Sequence, residues 1–166
     1  MEKILFKGKR VGDHKWIEGF YVCLGDKYHY ILTGKLDITK GYPDFVHYEV
    51  IPETVCQFTG LTDKNGKKIF KGDIVKEELK KSHIPYLAGR TLKERKHIGL
   101  VKFGEYAAPT GDPWCWGGAY GFYIDGEVSS PYIPEYAQSS HRWELEVIGN
   151  IHDNPELLEG VEMEVY

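Results

Sequence analysis

The stretch Gln57-Phe58-Thr59-Gly60-Leu61-Thr62-Asp63-Lys64-Asn65-Gly66-Lys67-Lys68-Ile69-Phe70-Lys71-Gly72-Asp73-Ile74-Val75 decides the fold. Asn65-Gly66 can take the two positive φ values of a type I′ turn, and the apolar residues on either side read as extended segments. A hairpin is the expectation. Gly72-Asp73-Ile74-Val75 then reads as a second turn feeding a long strand. Gly72 is free to take a backbone angle closed to other residues, and Asp73 is able to accept a local amide hydrogen.

Working back toward the N-terminus, residues 4–7, 16–23, 28–32 and 45–51 show period-two alternation or aromatic and β-branched enrichment. They are linked by Gly12-Asp13, Gly25-Asp26 and Gly41-Tyr42-Pro43-Asp44, which accept positive φ or preset a turn, so the segments predict a meander. Pro52-Glu53-Thr54 predicts a single helical turn, because proline at a first helical position sacrifices no hydrogen bond. Toward the C-terminus, residues 76–97 are broken by Pro85 and Gly89 and read as a long excursion. Strand pattern resumes at 99–103, a Gly/Pro/Trp-rich loop is expected over 104–118, and 119–124 is another strand ending at Asp125-Gly126. Residues 143–151 alternate Trp143, Leu145 and Val147 against Glu144 and Glu146 and predict a closing strand. Asp153 or Asn154 as cap, Pro155 at the first helical position and Glu156 in the first turn predict a short C-terminal helix. The expected architecture is mainly β. An N-terminal β-meander subdomain (1–55) packs on a larger SH3-like or partly open β-barrel (56–166), which carries long loops at 76–97 and 104–118.

Composition agrees. Of 166 residues 42% are hydrophobic and 28% charged, enough apolar side chain to offset ordering entropy, which excludes wholesale disorder. Nineteen glycines and 23 aromatics suit strands joined by tight turns better than a helical bundle. The first seven residues lack the apolar stretch of a signal peptide, and no later run has the length of a membrane span, so a cytoplasmic protein without membrane attachment is expected. Cys23, Cys56 and Cys115 are odd in number and far apart, and read as reduced thiols. The net charge of −4 is uneven: residues 76–97 hold seven Lys/Arg against three Glu, whereas 143–166 hold seven acidic side chains and no Lys or Arg. The middle of the chain would attract a phosphate backbone and its C-terminal end would repel one.

Two segments resemble the YopX family, small proteins encoded largely by phages, prophages and other mobile elements. The first is Ile51-Pro52-Glu53-Thr54-Val55-Cys56-Gln57-Phe58-Thr59-Gly60-Leu61 running into 63–75. The second is Glu146-Val147-Ile148-Gly149-Asn150-Ile151-His152-Asp153-Asn154-Pro155-Glu156-Leu157-Leu158. The resemblance runs over nearly the whole chain outside 76–97 and 104–118. It implies a mainly β protein of a mobile element, with no catalytic residue to carry over. Read physically, Gly60, Gly66, Gly72 and Gly149 serve backbone geometry, and Ile69, Phe70, Ile74, Val75, Val147, Ile148 and Ile151 are core candidates.

The other constellations point away from chemistry. Seven histidines and three cysteines form no C-x-x-C, H-x-x-x-H or H-E-x-x-H, so no metal site is expected. No G-x-S-x-G is present, and Ser129-Ser130-Pro131 and Ser139-Ser140-His141 read as loops. Gly117-Gly118-Ala119-Tyr120-Gly121 is not a Walker loop and enters a strand, and Glu144 and Glu146 share one strand face as a solvated edge. The expectation is a non-enzymatic accessory protein with no cofactor. It would bind a protein partner, or further copies of itself as a homo-oligomer, through the aromatic loops bearing Trp114, Trp116, Tyr120 and Tyr132. The alternative is single-stranded nucleic acid, with Lys80, Lys81, Arg90, Lys93, Arg95 and Lys96 meeting phosphates and the same aromatics stacking bases. A third reading is an enzyme whose scattered titratable groups converge only in space.

Overall fold

Antiparallel pairing builds nearly everything that the computed structural model describes, namely residues 4–39, 41, 44–79, 95–109, 116–125 and 143–159. Two units divide the chain, Met1–Thr59 and Gly60–Tyr166.

In the first unit β1 (Phe6–Lys9), β2 (Trp16–Leu24), β3 (Tyr28–Asp37) and β4 (Asp44–Glu49) form the meander, and β5 (Cys56–Thr62) begins alongside β1. Ile31 at the centre of β3 is fully buried. A Cβ on Gly8 would sit 3.2 Å from Ile31 Cδ1 and 3.3 Å from Val50 Cβ, and one on Gly19 would meet Ile31 Cγ2 at 2.9 Å. Both positions lack a side chain because the strands close tightly on Ile31. Past β4 the chain is held from two sides: Val50 N–H donates to His29 O (2.9 Å), and Ile51 N–H donates to Lys9 O (2.9 Å). The turn expected at Pro52–Thr54 is a 3-10 turn, and Thr54 Oγ1 accepts the Lys9 amide while donating to Ile51 O.

In the second unit the end of β5 leads to β6 (Lys68–Phe70). The strands β7 (Asp73–Leu79), β8 (Arg95–Pro109), β9 (Trp116–Asp125) and β10 (Trp143–Asn150) then form a sheet in the order β10-β7-β8-β9. Its core is Ile69, Val75, Val101, Ile124, Leu145 and Val147, with Leu61 against it. The turn at 70–73 is built as expected: Gly72 has φ +81°, and Phe70 N–H donates to Asp73 Oδ2 (2.9 Å) within the buried interior.

Several expectations change in detail. The β5–β6 turn is not type I′, because only Gly66 of the pair has positive φ (+79°). Gly66 N–H closes on Asp63 O, and the Asp63 side chain accepts Asn65 N–H (2.8 Å) and Lys67 N–H (2.9 Å), an Asx-type cradle that holds Asn65 at negative φ. The sheets form no closed barrel among the described residues, and the expected C-terminal helix is a 3-10 turn over Pro155–Leu158 whose cap, Asn154, makes no side-chain capping bond. The two expected loops are also shorter. Residues 76–79 and 95–97 belong to β7 and β8, and 104–109 and 116–118 to β8 and β9, leaving 80–94 and 110–115 outside the described residues. The glycines at 104, 117, 118 and 121 sit in ladder positions rather than turns.

Asp63 does more than shape its own turn. It is 6% exposed, and its second oxygen accepts Val147 N–H (3.1 Å), while Lys64 N–H donates to Leu145 O (2.9 Å). The turn thereby serves the outer edge of β10, whose other edge pairs with β7. At Val147 and Gly149 the register slips by a bulge, and a Cβ on Gly149 would meet Leu157 Cδ1 at 2.8 Å, which seats the 3-10 turn. Burial alone would raise the Asp63 carboxyl, but the amides of Val147, Lys67 and Asn65 outweigh it and hold the group below its ordinary value of 3.8. Its contribution is therefore complete above that value and lost as pH falls through the lower folded one. Asp63→Ala is expected to cost about 3 kcal/mol or more in urea unfolding near neutral pH, because three amides lose a charged acceptor.

Candidate functional site: an aromatic strip on the β8–β9 ribbon

β8 is long enough to serve two partners in succession. Its first part pairs with β7 up to Ile74↔Leu100, and from Leu100↔Asp125 to Pro109↔Trp116 it pairs with β9. Beyond Val101 the described structure is a two-stranded ribbon that outruns β7. Side chains on one face alternate in the period of two, so the face holding the buried pair Val101 and Ile124 continues to Phe103 opposite Phe122 and then to Glu105 opposite Tyr120. The core face runs straight out into solvent. Phe103 is 43% exposed and Tyr120 is 74% exposed. Phe103 packs edge-on against Tyr120 (centroids 5.1 Å apart, 85° between planes) and against Phe122 (4.8 Å, 61°).

A ribbon of two strands has little stability of its own. On the reverse face Gly104 pairs with Gly121, and the rings of Tyr106 and Tyr123, 5.6 Å apart, cover that gap. A Cβ on Gly121 would lie 3.7 Å from Tyr106 Cε1, and one on Gly104 3.9 Å from Tyr123 Cε1. Lys102 and Asp125 form an ion pair at the base of the ribbon, and that hydrogen bond raises the Lys102 ammonium above its ordinary value. The strip thus carries a carboxylate, Glu105, beside its rings, while the one described lysine of the ribbon is paired.

The residues singled out from sequence fall in different places. Tyr120 is the outermost ring of the strip. Trp116 starts β9 opposite Pro109, its ring outside the described side chains. Arg95 and Lys96 start β8 opposite Leu79 and Glu78, again with undescribed side chains. Trp114, Tyr132, Lys80, Lys81, Arg90 and Lys93 lie outside the described residues, as does Cys115. Ten strand residues separate Arg95 from Glu105, Tyr120's partner, roughly 30 Å along β8, so those described positions are not brought together with Tyr120. Phe103 and Phe122 were read only as strand residues; their signal was the alternation with Val101 and Ile124, silent about where β7 stops.

Elsewhere Lys64 and Glu146 form an ion pair at 2.7 Å, Tyr21 Oη meets His29 Nδ1 at 2.6 Å, Cys23 is exposed and Cys56 is buried. Among the described residues no three His, Cys, Asp or Glu gather as a metal cluster, and no helix is long and apolar enough to cross a membrane.

The YopX protein family model matches residues 5–159. The chain belongs to the YopX family. Among solved structures, this YopX-family chain is similar to protein EF1440 from Enterococcus faecalis, at 21% identity over 95% of this chain and 99% of that one, with a TM-score of 0.53. That likeness shows a shared fold. No curated protein matches it.

One titratable group stands apart. Glu77, on the core face of β7 between Leu145 on β10 and His97 on β8, is pushed up to about 7 by burial. A raised carboxyl supports the fold most fully below its unfolded value and loses that contribution as pH rises through about 7. Glu77→Gln is therefore expected to be more stable than the wild type by about 1–2 kcal/mol on the alkaline side, allowing for partial exposure, with the difference shrinking toward acid. Thermal melts across pH check it.

Proposed function

We propose that this YopX-family protein is a non-catalytic accessory protein of a phage, prophage or other mobile element, working in the cytoplasm of a bacterial host. Its ribbon docks a protein partner that presents apolar side chains flanked by Lys or Arg. The observation that carries this reading is the continuation of the core face past Val101 and Ile124 into the half-buried Phe122 and the exposed Phe103 and Tyr120. Aromatic rings that are partly ordered by packing on each other bind with little further loss of freedom, and Glu105 beside them favours a cationic rim on the partner.

Single-stranded nucleic acid also stacks on exposed rings, but it needs cations that follow its backbone. Glu105 on this face would repel phosphate, and Lys102 is engaged with Asp125.

A photo-crosslinking side chain installed at Tyr120, and separately at Lys102 as the control, tests the docking in host cells. A discrete covalent protein adduct is expected from position 120, to be lost in the same protein carrying Phe103→Ser and weak from position 102. Equal adducts from both positions, or salt-sensitive binding of single-stranded DNA to the purified protein that disappears with Tyr120→Ser, would overturn the reading.

A further inference from the structure

The exposed rings of the ribbon lie beside an open strand edge. Gly72 N–H donates to Val101 O (2.8 Å), the last bond that β8 makes on its β7 side among the described residues. Gly72, at φ +81°, belongs to the turn from β6, so β7 supplies no residue opposite Phe103. The N–H and C=O of one strand residue point to the same side, and the side alternates along the chain. The β8–β9 register runs without a shift from Leu100 to Pro109, so the alternation set by Val101 carries through. Lys102, Gly104 and Tyr106 turn their main-chain groups to β9. Phe103, Glu105 and Ala107 turn theirs to the open side, where no described residue pairs with them. Pro109, next in that series, has no N–H to offer and closes the tract.

From this geometry we infer that the partner enters as an added strand. An extended peptide segment pairs antiparallel with β8 at Phe103, Glu105 and Ala107, carrying Lys or Arg opposite Glu105 and an apolar residue two positions later, opposite Phe103. The inference rests on the proposed docking of a protein partner to the ribbon, and adds how that partner lies. Three features select this occupant. The first is the main chain: each edge-facing residue can exchange both N–H···O bonds with the residue set against it, which supplies affinity whatever the partner's sequence. The second is the face. Residues directly opposite in an antiparallel pair share a face, so the exposed Phe103 takes an apolar group and the exposed Glu105 takes a cation. The Glu105 carboxylate rests over Gly118, with Oε1 3.0 Å from where a Cβ would stand, and as an exposed side chain it reaches the edge by a change of rotamer. The third is what a second copy would bring. The edge-facing residues Val101, Phe103, Glu105, Ala107 and Pro109 include no cation, so two copies paired edge to edge would set Glu105 against a carboxylate or an apolar residue. A different chain supplies the charge.

Amide hydrogen exchange read by NMR on the full chain tests this, with the end-blocked peptide Thr-Thr-Lys-Thr-Val-Thr-Thr at millimolar concentration as the probe. In the free protein the amides of Phe103, Glu105 and Ala107 are expected to exchange faster than those of Lys102, Gly104 and Tyr106. The peptide is expected to slow the first three alone, and to bind about fivefold more weakly when its lysine is replaced by glutamate. Glu105→Lys is expected to reverse that preference. Ala107→Pro removes an edge N–H and leaves the side chains of the strip in place; it is expected to weaken binding about fivefold with an unchanged circular dichroism spectrum. Protection of the three edge amides in the free protein would overturn the inference, because another part of this chain or a second copy would then hold the edge. Peptide contacts at the Phe103 and Tyr120 rings without slowed exchange at the edge amides would overturn it too, while leaving docking on the aromatic face standing. No binding at that concentration overturns the strand pairing alone, whereas loss of the crosslink from position 120 overturns the docking itself.

Discussion

A single carboxylate organises the second unit. Asp63 belongs to the turn between β5 and β6, yet one of its oxygens is spent on Val147, 84 residues later. With the neighbouring Lys64 amide on Leu145 O, it occupies the outer edge of β10 as a short piece of strand would. An edge left open in this way recruits other chains, and covering it with side-chain and backbone groups of a turn keeps it closed without a further strand. The turn is an anchor. The buried residues Leu145 and Val147 are held in the core with Val75 and Ile69 as a consequence.

With one edge of the sheet closed, the other is free to extend. β8 leaves β7 at Leu100 and, among the described residues, continues with β9 alone, so the alternation that packs Val101 and Ile124 inward carries on to the half-buried Phe122 and the exposed Phe103 and Tyr120. Nothing about those rings differs chemically from core aromatics. Phe103 and Tyr120 are exposed because of register, not composition, and the reverse face keeps the ribbon regular by laying Tyr106 and Tyr123 over the Gly104–Gly121 pair.

Local rules made much of the fold legible. Every segment read as a strand lies within or overlaps an observed strand, and the Gly72-Asp73 turn has the backbone angle and amide acceptance that its residues imply. The misreadings share one cause. Gly117 and Gly118 read as loop because glycine marks turns, but both hold places in the β8–β9 ladder, opposite Ala108 and Ala107. Asn65 read as one half of a type I′ turn because no local rule announces that Asp63 will accept its amide and that of Lys67. The long-range bond to Val147, and the point where β8 parts from β7, depend on pairing between distant segments. Tyr120 was legible as an aromatic beside glycines; Phe103 and Phe122 were not, because exposure is set by where a neighbouring strand ends.

Native-state hydrogen exchange at the Val147 amide is the most direct measurement of this arrangement. If Asp63 stands in for a strand, that amide exchanges only through global unfolding, as slowly as those of Val75 and Val101, and in Asp63→Asn it loses more protection than either of them, whose loss follows only the lower global stability. Exchange in the wild-type protein at the rate of a frayed edge amide would contradict it.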